Sequence, residues 1–306
     1  MRPSRTLPLI SFFTSLLLYI ALTGCDRTRD QRIDEATYRK EFTAWQEKRI
    51  TNLKGPAGWL NVAGLFWLKP GPNTFGSAET NDIVFPEGKI LSHAGLFRVV
   101  GDSVYVTTSP NAGITLEDGS PVTTALIYTP DSLIVLKHDS LQWFIIKRGP
   151  RLGVRLRDLQ HENLAAFSGI DAYPLDLEWR VEATFAPHDS IKHISITDIT
   201  GTTTEQESPG TLTFKLNDTS YRLDVLGGGD NLFIIFADET NGVDTYGSGR
   251  FVYAALPGLD GKTVLDFNKS INPPCAFTAY ATCPLPPAQN HLAVKVTAGE
   301  KDYHLH

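Results

Sequence analysis

From Gly55-Pro56 onward the chain is cut into short runs rich in Val, Ile, Thr, Tyr and Phe, each stopped by Gly, Pro, Asn or Asp, and no other feature constrains its fold as much. Such runs fall at 97–100, 103–107, 126–128, 133–136, 142–147, 178–185, 193–197, 211–216, 221–225, 231–236, 251–254 and 292–296. Many alternate apolar with polar residues, as strands with one buried face do. Turn signals such as Asp118-Gly119-Ser120-Pro121, Asn217-Asp218 and Gly227-Gly228-Gly229-Asp230 separate them. There is no strand-helix-strand alternation and no phosphate-loop or dinucleotide fingerprint. The expected fold is therefore mainly β, an antiparallel β-sandwich or a partly closed β-barrel. The Thr-, Glu- and Ser-rich segment 201–209 is expected to be a loop or a seam between two sheets. Ahead of the strands, Tyr38, Phe42, Trp45, Ile50 and Leu53 recur at helical steps, predicting an amphipathic helix over 34–53 that packs on the domain.

The first 24 residues are built differently. Arg2 and Arg5 precede an apolar run over 7–22, and the small residues Thr23 and Gly24 follow, which is the layout of a secretory leader. Ser11, Thr14 and Ser15 interrupt the run, and it is shorter than the roughly 20 apolar residues that cross a bilayer. Its end, Leu22-Thr23-Gly24-Cys25, resembles the lipobox of bacterial lipoproteins, which implies cleavage before Cys25 and lipid on that sulfur. Residues 1–24 then form a signal peptide, 25–32 the lipidated cysteine and a short charged tether, and 33–306 a single β-rich domain. The expected location is the cell envelope, outside the cytoplasm, with the membrane as a partner through Cys25. A formal charge of −6 and the absence of a long Lys/Arg run exclude a nucleic-acid surface.

The least ordinary stretch is the C-terminal third. It runs through Asp238-Glu239-Thr240, Thr245-Tyr246-Gly247, Gly249-Arg250-Phe251 and Leu265-Asp266-Phe267-Asn268. It continues through Asn272-Pro273-Pro274-Cys275-Ala276-Phe277, Thr282-Cys283-Pro284-Leu285-Pro286-Pro287, Asn290 and Ala298-Gly299-Glu300-Lys301. At these residues the chain resembles the bacterial family known as domain of unknown function 1684. The resemblance extends upstream through Gly58-Trp59-Leu60, Gly64-Leu65, Phe75-Gly76 and Arg155-Leu156-Arg157-Asp158, and it implies no established activity.

Read for chemistry, Asp238, Arg250 and Asp266 fall at strand ends, where a guanidinium and two acids could meet on one rim. With Asn268 and Tyr246 they form a candidate site for a small polar or anionic ligand, because an Arg fork grips carboxylate or phosphate; a buried Arg-Asp pair that fixes loops is the alternative. A hydrolase using Asp238 and Asp266 as acid and base is a second reading, and a structural or partner-docking envelope protein a third. Asp238, Glu239 and Asp266 offer oxygen ligands, but without calcium-loop spacing, and no cofactor or metal is implied. Cys275 and Cys283, eight residues apart in a proline-rich loop of an exported chain, are read as a disulfide. Ser103, Ser168 and Ser248 lack the hydrolase elbow. The basic cluster Lys147, Arg148, Arg151, Arg155 and Arg157 either adds to an anion site or is a solvated, aggregation-blocking sheet edge, with Arg155 and Arg157 on one face.

Overall fold

A computed structural model describes residues 34–303; the leader, Cys25 and the tether lie outside the described residues. The chain is mainly β, 46% strand against 14% helix, in antiparallel sheets of which one is barrel-like and nearly closed and another a half-barrel. Residues from Glu35 onward form one compact unit.

The N-terminal half holds two sheets over a common core. One has the spatial order Val62–Trp67, Arg151–Asp158, Leu141–Arg148, Leu136–His138. The other runs Ile83–Val84, Gly71–Gly76, Gly95–Val100, Ser103–Thr108, Thr124–Thr129, Ser132–Leu133. Their inner residues, among them Phe75, Phe97, Val106, Trp143, Val154 and Leu156, are fully buried together. Because side chains alternate along a strand, burying Leu152, Val154 and Leu156 in this core sends Arg151, Arg155 and Arg157 to the opposite face.

The C-terminal half is a seven-stranded sheet ordered Arg250–Ala255, Asn231–Asp238, Thr219–Gly228, Thr203–Leu216, Arg180–Thr197, Lys262–Asp266, with His291–Leu292 parallel to Asn231–Asp238. Segment 201–209 is not a seam. Thr203 to Ser208 pair with Thr197 to Lys192, so the two sequence runs at 178–185 and 193–197 belong to one long strand with an irregularity between Pro187 and Lys192. The polar composition misleads because this arm of the hairpin is largely solvated, with only Ser208 buried before Gly210. Connection between the halves instead runs through 159–179, where a short helix Glu162–Ala166 is found.

The N-terminal helix forms at Glu35–Lys54 and buries Tyr38, Phe42 and Leu53. Ile50 departs from the expected stripe and is exposed, since the seven-residue repeat from Phe42 falls on Arg49. Arg49 takes that place with its Nε 2.8 Å from Glu300 Oε1, and donates from Nη2 to the Asn272 carbonyl at 3.0 Å. The helix is thus tied to the C-terminal segment by charge as well as by apolar contact.

Candidate functional site

The residues expected on an open rim lie under the surface, in two separate networks. Arg250 opens its strand fully buried, and its Nη2 donates to Asp238 Oδ2 at 2.8 Å and to the Val296 carbonyl at 2.9 Å. Nη1 donates to the carbonyls of Ala298 and, at 3.4 Å, Glu300. The other oxygen of Asp238 accepts from Thr240 N at 2.9 Å, Thr240 Oγ1 at 2.6 Å and Val296 N at 3.2 Å. This clasp sews the tail to the sheet and supplies the Arg250 guanidinium with a carboxylate of its own, leaving of its three nitrogens only the buried Nε without a hydrogen-bond partner among the described residues.

Asp266 belongs elsewhere. Tyr38 Oη donates to its Oδ2 at 2.7 Å, while Oδ1 accepts from Asn268 N and Nδ2, both at 3.2 Å. Asn268 in turn exchanges hydrogen bonds with the Asp176 backbone at 2.7 and 3.1 Å. Burial, then the bond to Asp266, push the Tyr38 hydroxyl well above the usual phenol range. Asp266 and Asn268 therefore hold the N-terminal helix and the 176 turn. With Asp238 and Asp266 committed to different partners, acid and base do not face one bond. Among the described residues no group of three or more His, Cys, Asp and Glu side chains is placed to hold a metal ion.

Cys275 and Cys283 are joined in a disulfide with Cα atoms 6.1 Å apart. The ring so closed lies on the outer face of the first sheet. Trp59 and Tyr246 pack on the two cysteines and Ala281, and Thr278 Oγ1 donates to the Val62 carbonyl at 3.3 Å. Of the residues proposed from sequence to bind ligand, Tyr246 is the one in this wall.

Under the ring lie the arginines of the basic cluster. The solvated-edge reading fails here, because Arg151–Asp158 is an interior strand and Arg155 and Arg157 are only 4% and 8% exposed. Arg157 Nη1 is satisfied by the Gly58 carbonyl and by Asn61 Oδ1 at 2.7 Å. Arg148 donates from Nε to Thr282 Oγ1 at 2.9 Å and from Nη1 to the Lys147 carbonyl at 2.8 Å. Among the described residues Arg155 has a single long hydrogen bond, Nη2 to the Tyr280 carbonyl at 3.4 Å, and its buried Nε has no partner. Its guanidinium lies 5.1 Å from the centre of the Trp59 ring, and that of Arg157 lies 5.9 Å from it. No carboxylate among the described residues pairs with any of the three. Burial first, then repulsion from Arg148 and Arg157, lower the Arg155 pKa to about 10; burial also lowers that of Arg157. Lys147 and Arg151 turn elsewhere, to Asp102 and to the hydroxyls of Thr200 and Thr202.

Sequence reading named the arginines but not what covers them. Asn61 and Tyr280 carried no signal, and Trp59 and Thr282 entered only through the family resemblance. The cover comes from a loop more than a hundred residues downstream, which no local pattern connects to the strand.

A small hollow of about 180 Å³ beside the helix start is lined by Glu35, Arg39, Leu175, Asp176 and Leu177. Its two charged helix residues neutralise each other at 2.6 Å.

Compared with known proteins, residues 165–301 match the model of a family described as a protein of unknown function, DUF1684. The upstream stretch with Trp59 and the arginines lies outside that match. An uncharacterised protein of Haloarcula marismortui, solved by NMR, is 31% identical over 47% of this chain and 82% of its own, with a TM-score of 0.40. EmbR of Mycobacterium tuberculosis, solved with a low-affinity phosphopeptide, is 14% identical over 42% of this chain and 33% of its own, with a TM-score of 0.21. No curated protein matches.

Proposed function

The chain belongs to the DUF1684 family, and from that premise we propose that it is a lipid-anchored envelope protein whose β domain binds a small anionic ligand on the arginine face beneath the Cys275–Cys283 ring. Export and cleavage before Cys25 leave an acidic mature chain that anionic lipid does not attract by charge, so the acyl chains on Cys25 do the anchoring. The observation that carries the ligand reading is Arg155. A guanidinium taken out of water without a counter-ion costs several kcal/mol, and here two further guanidiniums add to the cost. Such an arrangement is economical where a ligand brings the missing negative charge. Arg250, equally buried, has its carboxylate built in and needs none.

Two measurements test this. Radiolabelled palmitate should be incorporated by the wild-type chain and not by Cys25→Ser; labelling of both would refute the anchor. Thermal shift of the full-length chain in detergent micelles, at low salt with a panel of organic carboxylates and phosphates, should find stabilising anions. Arg155→Gln should abolish the response, and an unchanged response in that variant would refute the site.

A further inference from the structure

Resting on that reading, we infer that the group recognised on the arginine face is a dianionic oxyanion of the phosphate monoester class, held between Arg148 and Arg155, with the organic body against Trp59. In the strand pairing Arg148 faces Arg151 and Arg155 faces Phe144, so the two arginines stand four residues apart, about 13 Å along the sheet. Arg157 is only two residues from Arg155. Yet Arg148 and Arg155 both reach residues of the disulfide ring that stand only two apart in the chain. The disulfide ring sets their direction. Its Tyr280 carbonyl takes Arg155 Nη2, and its Thr282 hydroxyl takes Arg148 Nε.

Arg155 presents an unpartnered Nε beside an Nη2 whose one bond is long, the edge that matches two oxygens in parallel. Among the described residues Arg148 Nη2 meets no partner, since its Nε and Nη1 are the atoms engaged. A phosphoryl group can give each of these three directions its own oxygen, whereas a carboxylate must meet the third through a second lone pair on an oxygen already engaged. Charge points the same way, because three guanidiniums with no acid favour a dianion over a monoanion. Trp59 is half-buried and its ring lies 5.1 Å from the Arg155 guanidinium, giving an aromatic wall that a bare phosphate would not use.

The test is isothermal titration of the full-length chain in detergent micelles at low salt with phenyl phosphate, inorganic phosphate and benzoate. Phenyl phosphate should bind, and about tenfold more tightly at pH 8 than at pH 5, because its second ionisation lies near pH 6. The charged groups placed at the site are the three guanidiniums, so this pH dependence belongs to the second ionisation of the probe itself. Benzoate should bind at least about tenfold more weakly, and Arg148→Gln, at a half-buried position, should weaken phenyl phosphate by about tenfold or more while leaving benzoate unchanged. Benzoate binding as tightly as phenyl phosphate, with no pH dependence, would overturn the dianion while anion binding stood. Inorganic phosphate binding as tightly as its ester would overturn the aromatic wall. Absence of binding by all three probes, or equal binding by Arg155→Gln, would overturn the anion site itself.

Discussion

Arg250 and Arg155 are both buried arginines on β-strands with an aromatic ring beneath them, and they are treated in opposite ways. Arg250 lies over Phe236 and is met by Asp238 and three backbone carbonyls. Arg155 lies over Trp59 and is met by one distant carbonyl and two like charges. Since burying a cation costs the same physics in both places, the difference separates a guanidinium that has become part of the scaffold from one that awaits something outside the chain. Neither burial nor residue type distinguishes function from architecture here. Partner count does.

The largest expected effect is at the matched arginine. Arg250→Met strands Asp238 without its counter-ion and should cost about 3 to 5 kcal/mol in denaturant unfolding. A loss below about 1 kcal/mol would make Arg250 as dispensable as the comparison holds it not to be. Tyr38→Phe removes a hydrogen bond to the Asp266 carboxylate and should cost about 1.5 to 3 kcal/mol, read by the same unfolding curve, without affecting anion binding.

Arg155 should also set an alkaline limit on binding. Its charge is what the anion meets, so affinity should fall as pH rises through about 10, whereas stability should rise there, because a base with a lowered pKa is relieved of buried charge as it deprotonates. Titrating anion affinity from pH 8 to 11 checks the sign. At the acid end the smallest effect comes from Asp158. Burial pushes this carboxyl up, but Lys89, the Gln160 N–H and Ser140 outweigh it and hold it below the usual range. Its contribution is therefore full above the ordinary carboxylate pKa and lost as pH falls through the lowered value, and Asp158→Asn should flatten that limb of the stability profile.

Much of the fold was legible in the chain. Strand runs such as 103–107 and 142–147 read correctly because they alternate against one core, and the two cysteines read as a disulfide because eight residues and five prolines around them leave few other uses. The hairpin arm at 203–208 did not, since its Thr, Glu and Gln side chains are mostly in water and carry no apolar period. At the site, Arg-Leu-Arg at 155–157 gave the shared face and no more. Which arginine is matched depends on pairings such as Arg250 with 296–300 and Arg155 with Tyr280, and these are tertiary facts with no local signature.

The most direct test is the melting temperature of the full-length chain and of Arg155→Met, with and without phenyl phosphate at low salt. Replacing an unmatched buried cation by an apolar side chain of similar length should leave the ligand-free variant as stable as the wild type or up to about 2 kcal/mol more stable, and it should no longer respond to the anion. A variant that melts lower than the wild type, yet gains as much from the anion, would show Arg155 to be scaffold and would contradict the account.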